Sequence, residues 1–152
     1  FENYFKLFNE FIELRSGQQL HFELGRAVVA QCGSLITKAL YIKHGTKTDF
    51  VIVDAGMTEL IRPALYQSYH KIENISKLHL SPNSYYDVVG PICESSDYFG
   101  KRVFMAETER GDLLAIRSAG AYGEVMSSRY NLREQAGSVY SDEIKSKIPV
   151  NS

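Results

Sequence analysis

Leu20-His21-Phe22-Glu23-Leu24-Gly25-Arg26-Ala27-Val28-Val29-Ala30-Gln31-Cys32-Gly33-Ser34-Leu35 is where the apolar pattern changes its period. Upstream, Phe1, Tyr4, Phe5, Phe8, Phe11 and Ile12 recur at helical spacing, with Glu2, Lys6, Glu10 and Glu13 between them. That is an amphipathic helix whose aromatic face is too apolar to stand uncovered, so it is expected to pack on a core. Ser16-Gly17 ends it, because Gly takes the left-handed C-terminal conformation without a Cβ penalty. From Leu20 the period is two. Val28, Ala30 and Cys32 fall out of phase with Val29, Gln31 and Ser34, which predicts a strand bent near Gly33.

Downstream, the extended pattern continues over Leu35 to Ile42, and Lys43-His44-Gly45-Thr46-Lys47 is a polar hairpin loop. Phe50-Val51-Ile52-Val53-Asp54 reads as a buried strand ending at Ala55-Gly56. Leu60 to Gln67 is a short helical turn, with Pro63 tolerated only near its start. Tyr69 to Ile75 and Tyr86 to Gly90 are further strands around a loop-like stretch. Val103 to Glu107 and Asp112 to Ser118 bracket a turn at Thr108 to Gly111 as a hairpin. Ala121 to Ser128 is expected to be one short helix and Ser138 to Tyr140 a last strand, with a polar, fraying tail after Ile144. No internal repeat stands out. Short strands at close spacing predict a mainly β domain, an antiparallel sandwich or barrel with short helices. The opening helix and first apolar strand do not belong to it. Together with the start at Phe1, in mid-helix, they are expected of a piece of a longer protein.

The bulk numbers are those of one ordinary domain. The chain has 152 residues, 44% hydrophobic and 23% charged, with a net charge of −1. That charge gives no electrostatic reason to expect nucleic acid or an anionic membrane as partner. No apolar run is long enough to cross a bilayer. Cys32 and Cys93 make neither a disulfide framework nor a metal-ligand spacing, so no metal is expected and a reducing, cytoplasmic setting fits. Arg110-Gly111-Asp112, the sequon Asn74-Ile75-Ser76 and the histidines His21, His44, His70 and His79 are read as ordinary turn and hydrogen-bonding residues.

Four segments carry chemistry that a generic domain does not need. They are Glu23-Leu24-Gly25-Arg26, Asp54-Ala55-Gly56-Met57 running into Ile61-Arg62-Pro63-Ala64-Leu65-Tyr66, Gly90-Pro91-Ile92-Cys93-Glu94-Ser95, and Ala119-Gly120-Ala121-Tyr122-Gly123. An arginine fork grips a carboxylate, a free carboxylate receives an ammonium, and phenols supply hydrogen bonds. Such groups suit an amino acid bearing both signs of charge. Arg62 and Tyr66 are four apart and share a face if helical. Gly25 lets backbone amides approach an anion.

In this order the segments closely resemble the C-terminal half of the pyridoxal-phosphate-dependent diaminopimelate decarboxylases, over roughly residues 20 to 140. The resemblance implies that residues 1–26 are the last helix and strand of a (β/α) barrel and that residues 27–152 form the C-terminal β-domain. It implies pyridoxal 5'-phosphate as cofactor, with Glu23, Gly25, Arg26 and Tyr122 against it. Leu24 stands where the family usually has Pro, which removes a φ constraint. The substrate would be meso-diaminopimelate, converted to L-lysine and CO2. Arg26, Arg62, Tyr66, Glu94 and Tyr122 would hold it, Arg62 and Tyr66 on the distal carboxylate and Glu94 on the distal ammonium. Cys93 would be the catalytic proton donor, on a loop crossing a homodimer interface to complete the partner's site. Met126-Ser127-Ser128-Arg129-Tyr130-Asn131 keeps the family's Met-Ser-Ser and Tyr-Asn.

The lysine that holds the family's cofactor covalently lies in the barrel, and no lysine here occupies that context. The chain alone is therefore expected to be inactive. Two other readings remain: a decarboxylase for ornithine, arginine or carboxynorspermidine, and a non-catalytic homologue that pairs with a decarboxylase. The first has no distal carboxylate to use Arg62 and Tyr66.

Overall fold

Strand β1 (Ser34–Lys43) is the centre of the molecule, hydrogen-bonded to a neighbour on each side. The structure is a computed structural model and describes residues 2–13 and 15–145. Its inward residues Thr37 and Ala39 alternate with the exposed Ile36, Lys38 and Leu40, as a half-buried strand requires. β2 (Asp49–Val53), β4 (Ser84–Val89), β5 (Tyr98–Met105) and β6 (Leu113–Arg117) complete the sheet with the short β3 (Ile72–Asn74). The order is β3-β6-β1-β2-β4-β5. β2 and β4 are parallel and the other pairs antiparallel, so the sheet is mixed rather than purely antiparallel. The two edge strands approach each other: a Cβ added at Gly100 of β5 would lie 3.2 Å from Ile72 Cδ1 of β3. The sheet is thus nearly closed, and Val51, Val53, Tyr86, Val88, Phe99, Leu114 and Ile116 fill its interior.

Four local expectations give way. Residues 28–32 are not a strand, because Arg26–Val28 and Ala30–Cys32 are consecutive 3-10 turns. Alternation over so few residues fits either form, and the backbone bonds here run i to i+3. No strand lies between residues 15 and 33. β5 and β6 are not a hairpin: β5 pairs with β4 while β6 pairs with β1 and β3, so residues 106–112 cross the end of the sheet. Residues 121–128 hold only the 3-10 turn Glu124–Met126, and residues 138–140 have no ladder.

Helix α1 (Glu2–Phe11) forms, but none of its residues is buried. Among the described residues Phe22 meets its aromatic face, edge-on to Tyr4, Phe5 and Phe8 at centroid distances of 6.3, 4.9 and 4.9 Å. Gly17 is left-handed as expected, though the helix ends earlier. α2 (Arg62–Tyr66) has Pro63 near its start, and α3 (Ser141–Lys145) follows the irregular stretch. Phe1 and the tail beyond residue 145 lie outside the described residues.

Candidate functional site

The end of β6 and the start of α2 build one half of the site. His70 Nδ1 and Arg26 Nη2 donate to the consecutive carbonyls of Arg117, at 2.8 Å, and Ser118, at 2.5 Å. Arg62, at the first position of α2, places its guanidinium 5.2 Å from the ring centre of Tyr66 and 5.9 Å from that of Tyr122. Arg26 and Arg62 are near enough to feel each other. Burial, then the Arg62 charge, lowers the pKa of Arg26. Neither arginine has an ion-pair partner among the described residues, and the Nε of each is buried without an acceptor. Two guanidiniums without a carboxylate partner among the described residues, beside two phenols, suit an anionic ligand. His70, only 3% exposed, lies beneath them. Burial chiefly, and then the two arginines, hold its pKa below the ordinary value against the pull of the Arg117 carbonyl, so it stays neutral at neutral pH.

Tyr122 is about half exposed and left-handed, with φ +58°. A bulky residue in that region is strained and persists only where its surroundings fix it. Gly120 supplies that support, since a Cβ there would strike Val29 O, Cys32 Sγ and Gly33 N. The close approach of residues 29–33 to residues 119–120 therefore requires glycine and carries the Tyr122 turn against the arginine segment. Glu23 and Gly25 lie in the exposed approach to Arg26, lining an open cleft with Tyr4 and Leu24. A Cβ at Gly25 would meet nothing within 4 Å, so within this chain no close neighbour demands the glycine.

Cys93 and Glu94 form the other half, on the exposed loop between β4 and β5. Tyr130 Oη donates to Glu94 Oε1 at 2.6 Å, and Asn131 Nδ2 donates to Cys93 Sγ at 3.6 Å. Among the described residues no hydrogen bond or ion pair joins Cys93 or Glu94 to Arg26, Arg62, Tyr66 or Tyr122. The proposed site residues thus fall into two groups within one chain.

Asp97 ties the loops of the two groups together, and nothing in its local sequence singles it out. It is 5% exposed, with Oδ1 accepting from Met57 N and Oδ2 from Ile92 N, each at 2.6 Å. One side chain thereby fixes the turn before α2 and the turn before Cys93. Gly90 is needed at that spot, because a Cβ would enter the Asp97 carboxylate. Burial pushes the Asp97 carboxyl above its ordinary value, against the two amides that favour its charge. Glu59 is a second tie, accepting from Gly56 N and Thr58 Oγ1 and lying 3.8 Å from Arg133 Nε.

Comparison with known proteins gives the family. Residues 26–120 match the family described as pyridoxal-dependent decarboxylase, C-terminal sheet domain. A diaminopimelate decarboxylase of Bacteroides thetaiotaomicron is 61% identical over 144 residues, 95% of this chain and 37% of that protein. One from Pseudomonas aeruginosa is 51% identical over 81% of this chain and 29% of its own length. The crystal structure of the Helicobacter pylori diaminopimelate decarboxylase complexed with L-lysine superimposes with a TM-score of 0.66 at 50% identity, over 74% of this chain and 27% of that one. The chain spans about a third of the length of these relatives. Matched over more than half its residues and folded as a nearly closed mixed sheet, the chain belongs to the pyridoxal-dependent decarboxylases, as their C-terminal sheet domain.

Proposed function

We propose that this chain is the C-terminal part of a diaminopimelate decarboxylase, which releases CO2 from meso-diaminopimelate and leaves L-lysine. The observation that carries the reading is the clustering of Arg26, Arg62, Tyr66 and Tyr122, with neither guanidinium in an ion pair among the described residues and the Nε of each without an acceptor. A cationic, phenol-lined surface fits both a cofactor phosphate and a substrate carboxylate, so the residues present suit pyridoxal 5'-phosphate. Glu23, Gly25, Arg26 and Tyr122 would hold it. When bound, it supplies the electron sink for the pair left as the carbon–carboxylate bond breaks.

The chain's own residues do the rest. Arg62, with Tyr66, takes the distal carboxylate as a charge-assisted pair. Arg26 and Tyr122 orient the reacting end. Glu94 receives the distal ammonium, and the Cys93 thiol delivers the proton that replaces CO2. Cys93 and Glu94 act from a loop of one subunit in the site of its homodimer partner, and the barrel part of the protein contributes the lysine that holds the cofactor. Two free cysteines, Cys32 and Cys93, suit a reducing cytoplasm. Among the described residues no helix is long and apolar enough to cross a membrane.

The test is turnover by the full-length protein of meso-diaminopimelate against ornithine, arginine and carboxynorspermidine. Formation of L-lysine at a kcat/KM at least a hundredfold above the others is expected. Preferential release of CO2 from a substrate without a distal carboxylate would overturn the reading.

A further inference from the structure

The segment Tyr130-Asn131 has no part in the chemistry assigned so far, yet it meets the loop of Cys93 and Glu94 residue for residue. Tyr130 reaches Glu94 and Asn131 reaches Cys93. Tyr130–Leu132 is a 3-10 turn, and a regular one would set consecutive side chains about 120° apart, away from a single loop. The backbone solves this by entering the left-handed region at Asn131, φ +57°, and again at Leu132, φ +58°. Leu132 is 97% exposed, so no packing of its own side chain explains that unfavourable conformation. The turn is held from below: Leu132 N donates to Arg129 O and Ser128 N to Thr58 O, while Arg133 donates to Asp54 O and approaches Glu59. The same segment is therefore anchored to the turn that precedes Arg62.

We propose that Tyr130 and Asn131 are the positioning residues of the proton-donor loop, Tyr130 setting the Glu94 carboxylate that selects the substrate and Asn131 setting the Cys93 thiol that delivers the proton. This rests on the roles given to Cys93 and Glu94 above. Because each residue acts through a different partner, their losses separate in kinetics. Tyr130→Phe removes only the hydroxyl. Asn131→Gly removes the amide with its methylene and keeps the turn accessible, since glycine adopts a positive φ without strain.

In the full-length enzyme, Tyr130→Phe is expected to raise KM for meso-diaminopimelate about threefold to tenfold with kcat within about twofold, the loss of one charge-assisted hydrogen bond. Asn131→Gly is expected to lower kcat by about the same factor with KM within about twofold. A readout independent of turnover comes from 19F NMR of the protein labelled with 3-fluorotyrosine. The signal that Tyr130→Phe deletes should titrate at lower pH in Glu94→Gln, because the Glu94 carboxylate holds the Tyr130 phenol above its ordinary value. An inactive wild type would sink the functional reading and leave the fluorine titration to judge the contact. An active wild type whose variants match it, or lose kcat and KM together, would overturn the positioning proposal, as would a Tyr130 signal that ignores Glu94→Gln.

Discussion

At the scale of single residues, the proposed substrate choice rests on Arg62. Its guanidinium stands over Tyr66 and Tyr122 with its Nε buried and unpaired, so a ligand carboxylate fills a need this chain leaves open. In the full-length enzyme Arg62→Ala should weaken diaminopimelate binding roughly tenfold or more, from the 1.5–3 kcal/mol of a charged hydrogen bond. Unchanged KM and kcat would remove Arg62 from the site. Asp97 is the corresponding residue for architecture. Asp97→Asn keeps the size but leaves either Met57 N or Ile92 N facing an amide donor, a loss of about 1–3 kcal/mol. Denaturant unfolding should show a lower midpoint with an unchanged slope, and an unshifted midpoint would contradict the role. Because burial raises its native pKa, the folded protein holds the Asp97 proton more tightly than the unfolded chain. Its contribution to stability therefore falls as pH rises from the unfolded value through the native one.

Among the elements, β3 is short, and ion pairs at Glu73 add to its three-residue ladder with β6. Glu73 accepts from Arg117 Nε at 2.7 Å across the β3–β6 pair and lies 2.5 Å from Lys71 Nζ. The Lys71 and Arg117 hydrogen bonds, in that order, hold its carboxyl below the usual value of 4.5. A depressed native pKa gives stability that is present above the unfolded value and lost as pH falls through the native one. Thermal midpoints of the wild type should therefore drop below about pH 4.5, and Glu73→Gln should flatten that drop; equal slopes would contradict the pairing. The sequence shows β1, β2 and β4 well, because alternation and a buried apolar run each leave a local imprint. It misplaces β5 against β6, because the turn at Thr108–Gly111 says where the chain bends and not which strand it will join. The apolar alternation at residues 28–32 was equally silent about 3-10 turns. At the proposed site, Arg62, Cys93 and Glu94 are legible as residue types in motifs. The Asp97–Met57 bond and the Tyr130–Glu94 bond are not, since each is a contact across 36 or more residues that only the folded sheet creates.

For the whole molecule, the proposed site residues fall into two groups. The arginine–tyrosine cluster and the Cys93–Glu94 loop share no hydrogen bond or ion pair within one chain's described residues, and the proposed function assigns them to one site shared by two subunits. On that account a substrate meets Arg26, Arg62 and Tyr122 of one copy and the proton-donor loop of the other. The direct measurement mixes two inactive full-length variants, one without the cofactor-binding lysine and one carrying Cys93→Ala, unfolded and reassembled together. Heterodimers should then own one intact site in two, so activity should approach about a quarter of wild type in a random mixture. No recovery, with subunit exchange demonstrated, would mean that Cys93 serves its own chain or none, and the shared site would be contradicted.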